Sequence, residues 1–271
     1  MAGQIRIGAQ GWHHPTWVGS FYPHGTRPAE MLALYARAFP TVEIDSTFYG
    51  IPAEPIVAAW REQAPPGFFF ALKVPQEITH EKRFVDVDQR LSRFLHRVGA
   101  LGDSLGPLLL QLSPDFRASE ANRALLRTFL SSLAAEFRWA VEFRQPQWIV
   151  PATMELLRER NIALTLADGR WIRRGMMLDL AIEPTTDFGY VRWMGPSRKM
   201  TEFSRIQVDR TREIGDWAVA IRVLAERVGV VYGFVANQFQ GHAPATARQL
   251  QKQLGLPVVE PGMLREQVDL F

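Results

Sequence analysis

Residues 139–160 read WAVEFRQPQWIVPATMELLRER and decide the fold, because they hold one complete strand–helix unit. In the first six residues, apolar Val141 and Phe143 alternate with charged Glu142 and Arg144, which is the period of a β-strand with two different faces. In the second half the apolar residues recur at helical spacing. A strand followed by a helix of this kind indicates a parallel sheet that helices cover on its outside.

The same unit recurs along the whole chain of 271 residues. Eight such units favour closure into a TIM-type (β/α)8 barrel over an open sheet, and about 250 residues is the usual length of that fold. No linker rich in Gly, Ser or Pro divides the chain, so we predict one α/β domain over residues 1–271 with eight parallel strands. The sixth helix is poorly marked in residues 169–187, where a long loop is the alternative. The predicted strands are Ile5–Gln10, Thr41–Thr47, Phe68–Val74, Pro107–Ser113, Trp139–Arg144, Ala163–Asp168, Tyr190–Gly195 and Val230–Asn237. The predicted helices are Pro28–Phe39, Glu54–Gln63, Val87–Leu101, Ser119–Ala135, Ile149–Arg160, Asp209–Val228 and Ala243–Leu254.

Composition narrows the class of protein. Hydrophobic residues make up 47% of the chain, as in a globular protein with a full core. Cysteine is absent, which excludes disulfides, thiolate zinc sites and cysteine nucleophiles. The first residues lack the pattern of a signal peptide, and no apolar run reaches the roughly 20 residues that cross a bilayer. We therefore expect a cytoplasmic protein without membrane contact.

Polar residues occupy the last one to three positions of the predicted strands. In a barrel the apolar phase of each strand packs against the outer helices, so the polar phase faces the interior at the end where barrel enzymes build their sites. Taken alone, any one such residue is better explained as a solvated strand end or as half of an internal ion pair. Several buried ions near one axis are costly unless they pair or meet a ligand. We predict a charged pocket built from Glu43, Asp45, Lys73, Gln111, Glu142, Arg144, Asp168, Arg192 and Asn237.

The residue types in this pocket indicate acid–base chemistry on an anionic ligand. Arg144 and Arg192 are expected to hold a phosphate or carboxylate, because a guanidinium matches either group with two parallel hydrogen bonds. Lys73 is expected to act as an electrophilic or general-acid group whose pKa its surroundings lower. The predicted catalytic residues are Glu43, Lys73, Glu142 and Asp168.

Four loop residues extend the predicted substrate site. Trp12 and Tyr49 follow the first two strands, where an aromatic ring at a pocket mouth could stack on a sugar or base, although simple packing is the alternative. His80 and His242 follow the third and eighth strands. A lone histidine is more often structural than catalytic, but its ordinary pKa near 6.5 suits proton transfer.

Cofactor and metal motifs are missing from the sequence. There is no GxGxxG, GxxxxGK[ST], HExxH or GxSxG pattern. We predict no cofactor and no tightly bound zinc, since cysteine is absent and the six histidines are scattered. Mg²⁺ or Mn²⁺ on the pocket carboxylates remains open, because hard cations prefer such ligands, although the neighbouring Lys and Arg argue against it.

Eight short motifs follow one another along the chain: GAQGW (8–12), VEIDSTFYGIP (42–52), LKVPQEITH (72–80), LLLQLSP (108–114), VEFRQPQW (141–148), AD (167–168), YVRWMG (190–195) and ANQFQGHAPATA (236–247). This ordered set resembles the YecE-like family, known as domain of unknown function 72. The resemblance covers nearly the whole chain and implies a TIM-type barrel, but it implies no reaction. This chain departs from the family pattern at five polar positions: Gln10 replaces Ser, Asp45 and Gln238 replace Asn, and Gln145 and Met194 replace His. The two missing histidines argue against a histidine-based mechanism.

Three functions fit these observations. The first is an enzyme, an isomerase, lyase or hydrolase, that acts on a small anionic polyhydroxylated substrate such as a sugar phosphate or nucleotide fragment. The second is nucleic-acid binding or processing in the manner of barrel endonucleases, which the interspersed charges and the modest net charge of +3 support weakly. The third is a ligand-binding protein without catalysis. For the second function, the phosphate track would be Arg170, Arg173, Arg174, Arg198 and Lys199.

Overall fold

Eight parallel strands close into a barrel in the order of the chain, from β1 next to β2 around to β8 next to β1. The computed structural model describes residues 2–196 and 200–265. The predicted eight-stranded α/β barrel is confirmed. Its strands are β1 (Gln4–Gln10), β2 (Thr41–Ile44), β3 (Phe69–Lys73), β4 (Leu105–Gln111), β5 (Trp139–Glu142), β6 (Ile162–Gly169), β7 (Phe188–Gly195) and β8 (Val230–Val235).

Helices surround the barrel, and the stretch that the sequence marked poorly holds only a short one, α6. In the described ranges no helix is both long enough and apolar enough to cross a membrane. The helices are α1 (Met31–Ala38), α2 (Glu54–Gln63), α3 (Asp88–Gly99), α4 (Glu120–Ser132), α5 (Pro151–Glu159), α6 (Arg174–Asp179), α7 (Thr211–Ala225), α8 (Asn237–Gln240), α9 (Ala243–Leu254) and α10 (Pro261–Arg265).

Five strands end earlier than predicted (β2, β3, β4, β5 and β8), and helical turns follow shortly after β2, β5 and β8. β2 stops at Ile44 and a 3-10 turn follows at Ser46–Phe48. β5 stops at Glu142, shortly before a second 3-10 turn at Pro146–Trp148. β8 stops at Val235, and α8 begins two residues later. These turns carry the chain out of the barrel while it is still close to the axis, so residues just beyond a strand can reach the interior.

The interior of the barrel is apolar near its middle and polar at the C-terminal ends of the strands. The inward phase of the strands forms a closed apolar cluster near the middle of the barrel, while the opposite phase packs against the helices as a larger core. The polar inward residues therefore lie in the layer at the C-terminal ends of the strands. The interior cluster consists of Ala71, Leu109, Ala140, Ala163, Phe188, Tyr190, Tyr232 and Phe234.

Candidate functional site

A cavity of about 560 Å³ opens at the C-terminal ends of the strands. This is the face at which TIM-type barrels carry their active sites. Side chains from β1 to β7 and from the loops that follow them line the cavity. Eight of the predicted site residues are among them: Asp45, Tyr49, Lys73, His80, Gln111, Glu142, Arg144 and Arg192.

Arg192 is the centre of an ion network at the floor of this cavity. Its Nη2 donates to Glu43 Oε1 at 2.7 Å, and its Nη1 donates to Glu142 Oε2. Glu43 also accepts hydrogen bonds from Gln10 Nε2 at 2.8 Å and from the Tyr190 hydroxyl at 2.7 Å. Arg192 and Glu43 are both fully buried. Removing these charges from water is tolerable because each carboxylate is paired and hydrogen-bonded.

Arg144 extends the network upward into the cavity. Its Nε donates to Glu142 Oε1 at 3.0 Å and its Nη2 to Gln111 Oε1 at 2.5 Å. Burial favours the neutral form of Glu142, but the charges of Arg192 and Arg144 outweigh burial and hold the pKa of Glu142 at about 2. At neutral pH Glu142 is therefore ionised, and it orients the two arginines better than it could donate a proton.

Lys73 projects from the end of β3 into the same cavity. Its Nζ lies 3.5 Å from the centroid of the Phe48 ring. Burial, followed by the charge of Arg192, lowers the pKa of Lys73 to about 7. The Thr47 hydroxyl lies 2.6 Å from the backbone carbonyl oxygen of Lys73 and ties the β2 loop to the strand that carries the lysine. Lys73 can therefore change its protonation state near neutral pH.

Asp45 and His80 flank the lysine. Burial, and next the charge of Glu43, raises the pKa of Asp45, so its carboxyl group holds a proton more readily than an ordinary aspartate. His80 lies in a π-helical turn at Glu77–Glu81, and its ring packs edge-on against Phe48. Burial, and next the charge of Lys73, lowers the pKa of His80 to about 4, so the ring is neutral at physiological pH.

Aromatic rings form part of the cavity mouth. Tyr49 is 75% exposed at its edge, consistent with the predicted position. Trp171, in the loop after β6, lies beneath the guanidinium of Arg170 at 4.4 Å from its ring centroid and near that of Arg144 at 5.6 Å. A flat ring beside guanidinium groups can bind both the face of a sugar and an attached anion.

Asp168 does not reach the cavity, contrary to the expectation from the sequence. It belongs to the outward phase of β6, whereas its neighbour Ala167 belongs to the inward phase and lines the cavity. Its carboxylate accepts hydrogen bonds from Trp217 Nε1 at 2.8 Å and from Arg174 Nε at 3.0 Å. Asp168 therefore joins β6 to α6 and α7.

Asn237 and His242 also have structural partners away from the cavity. Asn237 Oδ1 accepts hydrogen bonds from Trp17 Nε1 at 3.1 Å and from the backbone N–H of Ala243 at 2.9 Å. His242 Nδ1 accepts from the backbone N–H of Ala245 at 3.3 Å and caps the start of α9. Neither residue lines the cavity, although sequence had placed both in the substrate site.

Two further predicted site residues lie outside the cavity lining: Glu43, which is fully buried, and Trp12. Its ring packs edge-on against Trp60 and Phe70, with centroids 5.8 and 6.3 Å away. Gly11 has φ +76° and turns the chain directly after β1, which directs Trp12 toward these rings.

Several cavity residues were missing from the predicted site. Gln10 lies two residues after Gly8 on the inward phase of β1, so strand alternation could have identified it. The loop residues carry no such signal, since their position depends on how the turns after β2, β3, β6 and β8 fold. The missed residues are Gln10, Phe48, Gln76, Phe143, Ala167, Gly169, Arg170, Trp171, Ile172, Met177, Met194, Gly195 and Gln238.

The structure also bears on a metal site and on the predicted phosphate track. Within residues 2–196 and 200–265, no three or more His, Asp or Glu side chains are grouped so that they could hold a metal ion. In the predicted phosphate track, Arg174 forms ion pairs with Asp168 and Glu213. Arg198 and Lys199 lie outside the described residues.

Sequence comparison connects this chain to known proteins. The model of a family described as a protein of unknown function, DUF72, matches residues 6–267. The UPF0759 protein YecE of Escherichia coli K12 is 33% identical over 171 residues, which span 61% of this chain and 60% of that protein. The UPF0759 protein YunF of Bacillus subtilis 168 is 24% identical over 292 residues and covers 98% of this chain and 100% of that protein.

Solved structures of DUF72 family proteins are also similar to this chain. A DUF72 family protein of Thermotoga maritima MSB8 has a TM-score of 0.79 and 25% sequence identity, over 93% of this chain and 99% of that one. A DUF72 family protein of Enterococcus faecalis V583 has a TM-score of 0.73 and 23% identity, over 94% of this chain and 99% of that one. The names of these relatives give a family and no activity.

Proposed function

The chain belongs to the DUF72 family of proteins of unknown function, and we propose that it is an enzyme that performs acid–base chemistry on a small anionic polyhydroxylated substrate. The substrate class includes sugar phosphates and nucleotide fragments. The cavity at the C-terminal end of the barrel is the binding site, and its polar lining selects the ligand. Ligand binding without catalysis and nucleic-acid processing remain the alternative functions.

The observation that carries this proposal is the excess of positive charge around the cavity. The chain as a whole has a formal net charge of only +3. Four cationic side chains nevertheless line this one cavity, against two carboxylates in the lining and the buried Glu43 that pairs with Arg192, and an anion placed there gains from that field. A low-dielectric wall strengthens the attraction, because the floor is shielded from water. The cationic residues are Lys73, Arg144, Arg170 and Arg192, and the carboxylates are Asp45 and Glu142.

Neutral side chains around the same cavity suit a ligand with several hydroxyl groups. Amides both donate and accept hydrogen bonds, which matches the two roles of a hydroxyl group. Tyr49 and Trp171 offer ring faces for the apolar side of a sugar. The amide residues of the lining are Gln10, Gln76, Gln111 and Gln238.

Two titratable groups of the cavity have shifted pKa values that favour proton exchange. Lys73 has a pKa of about 7, and the pKa of Asp45 is raised above that of an ordinary aspartate. An acid–base catalyst works best when its pKa lies near the operating pH. Glu43 and Glu142 then hold Arg192 and Arg144 in place, while Lys73 and Asp45 exchange protons with the substrate.

Thermal denaturation with matched ligands tests the binding half of the proposal. Glycerol 3-phosphate at millimolar concentration is expected to raise the melting temperature, because a ligand that binds only the folded state stabilises it, and glycerol is expected to leave it unchanged. Arg144→Met should abolish the shift. Arg158→Met removes an arginine whose ion pair with Glu183 is exposed on α5, so it should retain the shift. Equal responses to glycerol and glycerol 3-phosphate would contradict the proposal.

Hydrogen exchange tests the catalytic half. Dihydroxyacetone phosphate carries acidic C–H groups next to its carbonyl. Incubation with the protein in D₂O should introduce deuterium at that carbon, as seen by proton NMR, at a rate that the Arg158→Met variant preserves. A phosphate-dependent thermal shift without deuterium incorporation for any ketose or aldose phosphate would favour the non-catalytic alternative.

A further inference from the structure

We propose that Lys73 is a nucleophile that forms an imine with an aldehyde or ketone group of the substrate. This inference rests on the proposed function and narrows the substrate class to carbonyl compounds that also carry an anionic group. Its support comes from the partners of the cationic groups around the cavity, from the use of lysine in the chain, and from the groups that surround the amine.

The cationic side chains on the cavity floor divide into two kinds. Arg192 and Arg144 donate to the carboxylates of Glu43 and Glu142. In the part of the chain that the structure describes, Lys73 Nζ has no hydrogen bond and no ion pair, and its contact is the face of the Phe48 ring. The arginines have taken the carboxylates with which a lysine would otherwise pair, and the amine stays available to a ligand.

The choice of lysine at this position has a chemical meaning. Only four of the 31 Lys and Arg residues of the chain are lysines, namely Lys73, Lys82, Lys199 and Lys252. An arginine would supply a permanent charge at the end of β3, as arginine does at the ends of β5 and β7. Arginine does not lose its proton in proteins, whereas a lysine desolvated near other cations can become a neutral amine. A neutral amine with a free lone pair is the requirement for attack on a carbonyl carbon.

The step balances with groups that line the cavity. The neutral Nζ attacks the carbonyl carbon, a C–N bond forms, and the C=O π electrons move to oxygen, which takes a proton from the carboxyl group of Asp45. The nitrogen of the resulting adduct returns a proton to Asp45. The hydroxyl group then leaves as water with a second proton from Asp45, and the nitrogen lone pair forms the C=N bond. The net reaction joins an amine, a carbonyl compound and one proton into an iminium ion and water.

The surroundings of Lys73 favour both the neutral amine that begins this step and the iminium ion that it forms. An iminium ion is a cation, and the Phe48 ring face at 3.5 Å from Nζ attracts cations. The carboxylates of Glu43 and Glu142 add a favourable field. Burial lowers the pKa of the free amine to about 7, so a large fraction of Lys73 is uncharged at neutral pH. His80, which packs against the Phe48 ring, is neutral and therefore does not compete with the iminium ion for these carboxylates.

Borohydride trapping with the full-length protein tests the inference. The protein is incubated at neutral pH with dihydroxyacetone phosphate or glyceraldehyde 3-phosphate, reduced with sodium borohydride, digested and mapped by mass spectrometry. Reduction turns an imine into a stable secondary amine, and the peptide gains the mass of the carbonyl compound less one oxygen atom. We expect this adduct on Lys73 and at least tenfold less on Lys82 and Lys252, which lie at the surface.

Variants and a matched ligand separate this inference from the proposed function. Lys73→Arg and Lys73→Met should both lose the adduct, while the surface variant Lys82→Arg should retain it in full. Glycerol 3-phosphate has no carbonyl group, so it should protect Lys73 from trapping without forming an adduct. If glycerol 3-phosphate raises the melting temperature but Lys73 is labelled no more than the surface lysines, the imine is wrong and the proposed function stands. If neither binding nor trapping occurs, both are wrong.

Discussion

At the C-terminal end of the barrel, some charged residues are held in buried ion pairs, and others are titratable groups with shifted pKa values. Arg192, Glu43 and Glu142 are buried and paired with one another, so their positions in the network are fixed. Lys73 and Asp45 are near the same network, and their pKa values are shifted toward neutrality. A buried charge is costly to leave without a partner, and therefore the two groups should respond differently to substitution.

Replacing Arg192 tests the fixed part of this division. Arg192→Met leaves Glu43 without its ionic partner in a fully buried position, and we expect the free energy of unfolding to fall by about 3–5 kcal/mol. Arg158→Met is the matched control, because its ion pair with Glu183 is solvent-exposed and should contribute about 0–1 kcal/mol. Urea unfolding at neutral pH measures both. A loss below about 1 kcal/mol for Arg192→Met would contradict the account of the network.

The pH dependence of stability tests the titratable part. The pKa of Lys73 is lowered from 10.5 to about 7 in the folded protein. Between these values the unfolded chain binds more protons than the folded one, so the free energy of unfolding rises with pH, by up to about 1.4 kcal/mol per pH unit. Below pH 7 both states are protonated, and the unfavourable burial of the charge is present in full.

Comparison with Lys73→Met isolates this effect, because every other titrating group is common to the two proteins. We expect the variant to be the more stable protein near pH 6 and to lose that advantage progressively as the pH rises above 7. Urea unfolding at several pH values between about 6 and 9 gives the difference. A difference that stays constant over this range would show that Lys73 has an ordinary pKa.

Strand alternation explains how far the sequence predicts the site. The apolar and polar phases of β2, β3, β5 and β7 place Glu43, Lys73, Glu142 and Arg192 on the inward side, as expected from their alternation with Val, Leu and Phe. The same rule applied to β6 gives Ala163, Thr165 and Ala167 as the inward set, so it already excludes Asp168. The prediction of Asp168 rests on its polarity at a strand end and not on its phase.

Loops set the limit of prediction from sequence. Alternation ends with the strand, and beyond it a residue's direction depends on local turns that the sequence marks weakly. His80 reaches the cavity through a π-helical turn, whereas His242 caps α9 instead. Trp171 follows β6 in the stretch where no helical period could be recognised. The closed barrel was predictable because eight units repeat the same pattern, but the cavity mouth is built from loops that do not repeat.

Neighbouring residues of α8 provide a test of the structural and binding roles. Asn237→Ala leaves the N–H groups of Trp17 and Ala243 without their acceptor, so the free energy of unfolding should fall by about 1–3 kcal/mol while the thermal shift with glycerol 3-phosphate persists. Gln238→Ala shortens a side chain that lines the cavity, and it should weaken that shift with little loss of stability. Thermal and urea denaturation of both variants decide. The reverse pattern would return Asn237 to the binding site.

At the scale of the whole molecule, positive and negative charges are mixed rather than separated. Basic and acidic residues alternate along the chain, and the formal net charge is +3. Several surface arginines are engaged in ion pairs, including Arg27 with Glu30, Arg97 with Glu54 and Arg174 with Asp168. A continuous phosphate track needs adjacent unpaired cations, because affinity for nucleic acid follows the number of phosphates that cations neutralise.

This arrangement predicts weak and non-specific binding to DNA. Because basic and acidic residues are interspersed along the chain, we expect the protein to bind a labelled oligonucleotide with a Kd no lower than roughly 10⁻⁴–10⁻⁶ M, the range that is typical of non-specific complexes at physiological salt. Fluorescence anisotropy titrations with double-stranded, single-stranded and abasic oligonucleotides measure this directly. Arg170→Met removes a guanidinium from the cavity mouth. We expect it to change the affinity for DNA little and to reduce the thermal shift with glycerol 3-phosphate. Submicromolar affinity with a preference for damaged or single-stranded DNA would instead favour the endonuclease-like alternative, since a small anionic ligand requires only the local charge of the cavity.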